Sequence, residues 1–171
     1  MDRAELRSVQ EPLKERYRAD PDAALVTLRA SGTLGDGVSC TVDTGRALAE
    51  AGLHPASGGD GSLLCSGDLL LEALAACAGV TLRAVATSLR LDVQGTVDAE
   101  GDLDFRGTLG VDRDAPVGFR AIRLRFALET DADDDELATL LRLTERYCVV
   151  LQTLASAPDL SVALDRRQAS L

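Results

Sequence analysis

The sequence predicts an α+β domain in which helices cover one face of antiparallel sheet. Segments of alternating apolar residues lie on both sides of a long apolar helical run, and a second helical pattern follows them. The 171 residues suffice for one domain with its own core, and an aromatic content of only 3% makes that core aliphatic. We therefore expect a single domain over residues 1–171, with antiparallel sheets packed around a buried central helix.

Residues 1–20 are expected to form an N-terminal helical arm. Leu6, Val9 and Leu13 follow helical spacing. Pro12 either interrupts this run or is the first helical residue of a second short helix.

A β-hairpin is expected after this arm. Residues 24–30 and 38–43 have strand-like patterns, and the turn signal Gly35-Asp36-Gly37 lies between them. Beyond the central helix, residues 119–129 alternate apolar and charged side chains, which is typical of a sheet with one buried face. Further strands are expected at residues 93–97, 101–108 and 160–164.

The central helix is expected to run from Ser66 to about Leu89. Ser66 is an N-cap residue, and Asp68 places a negative charge in the first turn. The helix is apolar nearly all round, because Glu72 is its only charge between Asp68 and Arg83. That pattern indicates a helix buried on several sides, and it favours a second subunit that completes the cover.

A second amphipathic helix is expected after an acidic run at residues 133–136, which suits the first turn of a helix. Its apolar stripe continues without a visible break, so Cys148 is expected on the buried face of one continuous helix. The stripe consists of Leu137, Leu140, Leu141, Thr144, Cys148 and Leu151.

The charge of the chain restricts its partners. A net charge of −10 without a large Lys/Arg cluster repels phosphate backbones, so no nucleic acid partner is expected. The longest uninterrupted apolar run, residues 73–82, is shorter than the ~20 residues that span a bilayer. With a charged N-terminus as well, we expect no membrane partner, a cytoplasmic location and cysteines that rest as thiols.

The four cysteines are the most informative chemical feature. Cys77 lies inside the central helix and Cys148 on the second, and each fits either redox chemistry or ordinary packing. Cys40 alternates with valines on a strand, which favours packing. Cys65 precedes the predicted N-cap, where helix amides stabilise a thiolate, so it is an alternative nucleophile or resolving thiol.

His54, the sole histidine, is interpreted as a loop residue, and neither a metal site nor a cofactor is predicted.

Two stretches carry a resemblance to a known family. The glycine-rich loop Gly58-Gly59-Asp60-Gly61, followed by the helical run that ends in Ala75-Ala76-Cys77, resembles the OsmC-like and organic hydroperoxide resistance family. The segment Glu145-Arg146-Tyr147-Cys148-Val149-Val150 is similar to the second cysteine motif of that family, with Val149 where the family pattern has proline. The resemblance covers about residues 24–165.

The resemblance implies the OsmC-like fold, an intertwined homodimer with the reactive site at the subunit interface, and a thiol-dependent peroxidase. In that interpretation Cys77 is the peroxidatic cysteine, Cys148 is the resolving cysteine, and a cellular dithiol reduces the resulting disulfide. The apolar surroundings favour an organic hydroperoxide as substrate. The alternative is a non-enzymatic member of the fold that binds a small apolar ligand at the dimer interface and keeps its cysteines as packing residues.

Activation of Cys77 needs a physical cause. Burial among alanines and leucines raises the pKa of a thiol unless a cation offsets the desolvation. The thiol lies three turns into its own helix, where the helix dipole contributes little. Arg29, Arg46 and Arg83 are therefore candidates to supply the cation. Glu72 either orients such an arginine or points towards solvent or a partner subunit.

Overall fold

In a computed structural model, the chain has the predicted α+β architecture, with two separate sheets and helices packed on them. The structure describes residues 2–5, 8, 19, 31–34, 39–43, 48–110 and 112–165. The elements are β1 (Ser31–Leu34), β2 (Ser39–Asp43), β3 (Leu48–Gly52), a 3₁₀ turn (Pro55–Ser57), β4 (Leu64–Cys65), α1 (Ser66–Leu89), β5 (Gln94–Leu103), α2 (Phe105–Thr108), β6 (Phe119–Glu129), α3 (Asp134–Tyr147) and α4 (Val149–Ala155).

The first sheet has the strand order β1-β2-β3-β4. The pairings β1–β2 and β2–β3 are antiparallel, whereas β3 and β4 run parallel. The predicted hairpin is present, but the strand that pairs with β2 begins at Ser31, and the predicted strand at residues 24–30 lies outside the described residues. Strand β3 was not predicted, because its sequence Leu-Ala-Glu-Ala-Gly has low strand propensity and pairing with β2 decides its conformation.

The second sheet is the antiparallel pair β5–β6, which extends from Gln94 opposite Glu129 to Leu103 opposite Phe119. The strands predicted at residues 93–97 and 101–108 are one strand that ends at Leu103. Residues 105–108 instead form the short helix α2, where the Asp104 carboxylate accepts a hydrogen bond from the Arg106 amide at 3.2 Å. The side chains of β6 alternate in burial as predicted.

Helix α1 has the predicted extent and is the core element of the described chain. It begins at Ser66 with Cys65 as N-cap, one residue earlier than predicted, and the cap makes no side-chain hydrogen bond. One face packs against β5, α3 and α4. Its buried residues recur at helical spacing and form the centre of the core: Leu74, Ala78, Leu82, Val85 and Ala86.

The opposite face of α1 is apolar and open in the single chain. Val80 is 72% exposed, and Leu70, Ala73 and Ala76 are exposed on the same helix. Among the described residues, α1 is the one helix that is long and apolar enough to cross a membrane. The core helix of a soluble protein has the same length and composition, and α1 packs on three other elements as a core helix with one face uncovered.

The second predicted helix begins as expected and ends early. Asp133 and Glu136 form a reciprocal capping box, with the Glu136 amide donating to the Asp133 carboxylate at 2.8 Å. The prediction of a continuous helix is wrong: α3 ends at Tyr147, Cys148 has an extended backbone (φ −73°, ψ 106°), and α4 follows. The strand predicted at residues 160–164 is also absent from the described chain, where this segment is irregular and exposed.

The predicted N-terminal arm falls largely outside the described residues. Residues 3–5 are helical, and Asp2 and Glu5 exchange backbone-to-carboxylate hydrogen bonds of 2.8 and 2.9 Å, as at the start of a helix. Residues 8 and 19 are the other described positions of the arm.

Candidate active site

Cys77 and Cys148 lie side by side where α1 meets the junction of α3 and α4. Their thiol groups are close enough for each to shift the pKa of the other, and both cysteines are free thiols. Cys77 is partly exposed, whereas Cys148 is 0% exposed. The two residues that the resemblance singled out are therefore brought together, with one sulfur accessible and the other enclosed.

The helix break at Cys148 supplies polar groups to this site. The Cys148 amide still bonds back to the Thr144 carbonyl at 2.9 Å, after which the backbone turns away from the helix. In a continuous helix the amides of Val149 and Val150 would bond carbonyls four residues earlier. At the break they instead lie beside Cys77 and lower the pKa of its thiol.

The carbonyl that the break releases is satisfied by a side chain. Val149 would have bonded the Glu145 carbonyl in an uninterrupted helix. That carbonyl accepts a hydrogen bond of 2.8 Å from the side-chain Nε2 of Gln152. The backbone amide of Gln152 donates to the Cys148 carbonyl at 2.9 Å. Gln152 thus links the end of α3 to the first turn of α4 and holds the two amides beside Cys77.

Thr81 contributes a further donor from α1 itself. Its hydroxyl donates to the Cys77 carbonyl at 2.8 Å, and it also lowers the pKa of the Cys77 thiol. Thr81 follows Cys77 by four residues, and residues with this spacing share one face of a helix, so the sequence contains the signal for this proximity.

The pKa of Cys77 is lower than that of an ordinary thiol. Burial acts to raise this pKa, but four neighbouring donor groups together outweigh it. In decreasing order of effect these are the Val150 amide, the Cys148 thiol, the Val149 amide and the Thr81 hydroxyl. Each of these donors favours the thiolate, so Cys77 is the group of the pair that ionises first.

The pKa of Cys148 is shifted in the opposite direction. Burial raises it most, and the Leu151 amide opposes this rise. The neighbouring Cys77 thiol and its charge raise the pKa further, against a smaller opposing effect of the Val150 amide. Cys148 therefore keeps its proton when Cys77 is a thiolate. Two adjacent thiols with pKa values driven apart in this way are suited to different roles.

Among the described residues, no cation takes part in lowering the pKa of Cys77. Of the three candidate arginines, Arg29 and Arg46 lie outside the described part of the chain. Arg83 is used elsewhere, because its guanidinium donates to the Val93 carbonyl at 2.5 Å, and Glu72 is exposed. Uncharged amides at a distant helix break take the place of the cation that burial of the thiol led us to expect.

The other candidate residues are not part of this pair. Cys65 lies twelve positions before Cys77, about 18 Å along a helix that rises ~1.5 Å per residue. Of Cys40 only the backbone, in β2, is described. His54 Nδ1 accepts a hydrogen bond from the Ala56 amide at 3.0 Å, which fits the predicted loop role. Within the described ranges, no group of three or more His, Cys, Asp or Glu residues is able to hold a metal ion.

An apolar cavity of about 600 Å³ lies near the site, between β6 and the helices. It is open to solvent on one side, and charged residues occur among its lining at Arg125 and Glu145. The apolar lining residues are Leu82, Leu124, Phe126, Leu128, Leu137, Leu140, Leu141 and Leu151.

The fold and the paired thiols define a class of protein: an α+β domain whose core helix carries a partly exposed thiol facing a second, buried one. The family model described as OsmC-like protein matches residues 59–163, and the chain belongs to this family. No curated protein sequence matches the chain.

Solved structures share the fold at low sequence identity. The OsmC-like protein of Mycoplasma pneumoniae has a TM-score of 0.64 and 17% identity, covering 77% of this chain and 89% of that chain. An organic hydroperoxide resistance protein of Legionella pneumophila has a TM-score of 0.54 and 21% identity, with coverages of 78% and 92%. The organic hydroperoxide resistance protein OhrB of Bacillus subtilis has a TM-score of 0.51 and 19% identity, with coverages of 78% and 94%.

Proposed function

We propose that this protein is a thiol-dependent peroxidase that reduces organic hydroperoxides, with Cys77 as the peroxidatic and Cys148 as the resolving cysteine. The observation that carries this proposal is the adjacency of a partly exposed and a buried thiol whose pKa values are shifted in opposite directions. Membership of the OsmC-like family, in which similar folds include organic hydroperoxide resistance proteins, supports it.

In the first step the Cys77 thiolate attacks the terminal oxygen of the hydroperoxide. A sulfur–oxygen bond forms as the oxygen–oxygen bond breaks, so Cys77 is oxidised to a sulfenic acid and the peroxide is reduced. The departing alkoxide takes up a proton and leaves as the alcohol. The amides of Val149 and Val150 suit this step because they stabilise the thiolate without blocking the sulfur with a bulky side chain.

In the second step Cys148 attacks the sulfur of oxidised Cys77. A disulfide forms, and hydroxide leaves the sulfenic acid and combines with the Cys148 proton as water. Because the two thiols lie side by side, little movement is needed for this attack. A cellular dithiol then reduces the disulfide by thiol–disulfide exchange and returns both cysteines to the thiol state.

We also propose that the protein is a homodimer and that the second copy covers the open apolar face of α1. This face lies directly beside Cys77 on the same helix, so a partner subunit bound there would surround the thiol with apolar side chains. The C-terminal segment gives the same indication, because Leu160, Val162 and Leu164 alternate and are each at least 86% exposed. Such a pattern is typical of a strand that pairs outside its own chain.

The decisive experiment treats the fully reduced protein with one equivalent of cumene hydroperoxide. We expect one equivalent of the alcohol, a mass decrease of two hydrogens, and a peptide map that joins Cys77 to Cys148. Cys77→Ser should abolish alcohol formation. Cys148→Ser should still reduce one equivalent and accumulate a sulfenic acid that dimedone traps. Cys65→Ser, the matched control, should behave as wild type.

A second candidate function is the binding of a small apolar ligand without redox chemistry, and the apolar cavity of about 600 Å³ favours it. In that case the thiols would be recovered unmodified while the hydroperoxide persists, which contradicts the peroxidase. An environment-sensitive apolar dye would bind to the wild-type protein. Its binding would be abolished in Leu124→Asp, which places a charge in the cavity lining.

A further inference from the structure

Thr81 is a donor that the proposed reaction does not yet use. It lies one helical turn after Cys77, and residues four apart on a helix have Cβ atoms about 5–6 Å apart. Its hydroxyl donates to the Cys77 carbonyl at 2.8 Å, one turn from the Cys77 side chain and on the same face of the helix. We propose that the Thr81 hydroxyl turns from the Cys77 carbonyl to the Cys77 sulfur when the thiolate forms, and thereby activates this thiol.

The switch of partner follows from the strengths of the two acceptors. The hydroxyl has one proton and therefore one donated bond, which in the thiol state goes to the Cys77 carbonyl. A thiolate is charged, and hydrogen bonds to charged acceptors are roughly twice as strong as those between neutral groups. The carbonyl does not become orphaned when the hydroxyl leaves, because within the continuous helix it still accepts the backbone amide of Thr81.

The side chain of Thr81 is suited to this movement. Threonine populates two χ1 rotamers in helices, so a single bond rotation redirects the hydroxyl. The residue is half-buried, which limits the water that would otherwise compete for the thiolate. Together with the amides of Val149 and Val150, it forms a set of uncharged donors around Cys77.

The same helix contains a matched residue without a thiol beside it. The Thr87 hydroxyl donates to the Arg83 carbonyl at 2.8 Å, with the same spacing of four residues. If the Thr81 hydroxyl served only the helix backbone, replacing either threonine would have the same consequence. A difference between them isolates the contact of Thr81 with the sulfur.

The test measures the rate of iodoacetamide alkylation of Cys77 against pH, with peptides resolved by mass spectrometry, in wild type, Thr81→Val, Thr81→Ser and Thr87→Val. In Thr81→Val we expect the midpoint of the alkylation–pH profile of Cys77 to rise by about one pH unit, which lowers the alkylation rate of Cys77 at acidic pH about tenfold. Thr81→Ser, which keeps the hydroxyl, and Thr87→Val should stay close to wild type. Thermal melts establish that the variants are folded.

An unchanged midpoint in folded Thr81→Val would overturn the inference, and so would equal rises in Thr81→Val and Thr87→Val. The inference deepens the proposed peroxidase, yet alkylation requires no hydroperoxide, so the two fail separately. A raised midpoint in a protein that leaves cumene hydroperoxide intact would refute the peroxidase alone. Peroxide reduction by wild type with no effect of Thr81→Val on the midpoint would refute the role of Thr81 alone.

Discussion

The backbone amide of Val150 makes the largest contribution to lowering the pKa of the Cys77 thiol, against the opposing effect of burial. The amide is available because α3 stops at Tyr147 and the backbone is extended at Cys148. A break in one helix therefore determines the chemistry of a cysteine in another. The predictions below test this relationship and the packing around it.

The two cysteines should differ in their reactivity towards alkylating agents. Because hydrogen bonds lower the pKa of Cys77 while burial raises that of Cys148, the Cys77 thiolate persists to lower pH. We expect Cys77 to be alkylated at pH values below the ordinary thiol range and Cys148 only well above it. Peptide-resolved iodoacetamide labelling across pH checks this order, and preferential labelling of Cys148 at low pH would contradict it.

Replacing Gln152 with methionine should disturb the site without touching either cysteine. The variant cannot donate to the Glu145 carbonyl. That carbonyl at the end of α3 then lacks the bond that takes the place of the missing helical bond from the Val149 amide. We expect a loss of about 0.5–1.5 kcal/mol in the free energy of unfolding and a raised pKa of Cys77. Urea unfolding and pH-dependent labelling measure the two effects.

The control for this variant is Gln94→Met, at an exposed glutamine at the start of β5. It should leave the Cys77 midpoint unchanged. If Gln152→Met also leaves the midpoint unchanged, the side chain does not hold the Val149 and Val150 amides in place.

A charge on the open face of α1 should prevent dimer formation. Val80 is 72% exposed in the single chain, and Val80→Glu would place an unpaired carboxylate in the proposed interface. Multi-angle light scattering should give twice the chain mass of 18.0 kDa for wild type and the chain mass itself for the variant. Ser88→Glu, near the end of the same helix, should remain dimeric. A wild-type mass of one chain would refute the dimer.

The end of α1 offers a stabilising substitution. Arg90 has φ of 64°, and the amides of Arg90 and Leu91 bond the carbonyls of Thr87 and Ala86, at 3.3 and 2.9 Å. This terminus favours glycine, which adopts a left-handed conformation without strain.

Arg90→Gly should therefore raise the free energy of unfolding by about 0.5–1 kcal/mol. Ser88→Gly, inside the helix, should lower it by about the same amount. Thermal melts of the two variants compare them directly, and a destabilised Arg90→Gly would show that the arginine side chain makes a compensating contact.

Local sequence signals predicted the elements that have their own caps or periodicity. The acidic run before α3 predicted its start because Asp133 and Glu136 bond each other's backbone within one turn. Helix α1 and strand β6 were predicted because each carries a regular pattern over many residues. Strand β3 was missed because its conformation depends on pairing with β2 rather than on its own residues.

The sequence by itself determined that Cys77 lies in an apolar helix, that Cys148 is buried, and that the chain has an OsmC-like pattern. The break between them was not visible in it, because Val149 gives none of the local signal that a proline would. Only the tertiary structure decided that the amides of Val149 and Val150 meet the Cys77 sulfur. The physical reason is that short-range periodicity and capping encode helices, whereas the pKa of a buried thiol depends on donors brought to it from distant parts of the chain.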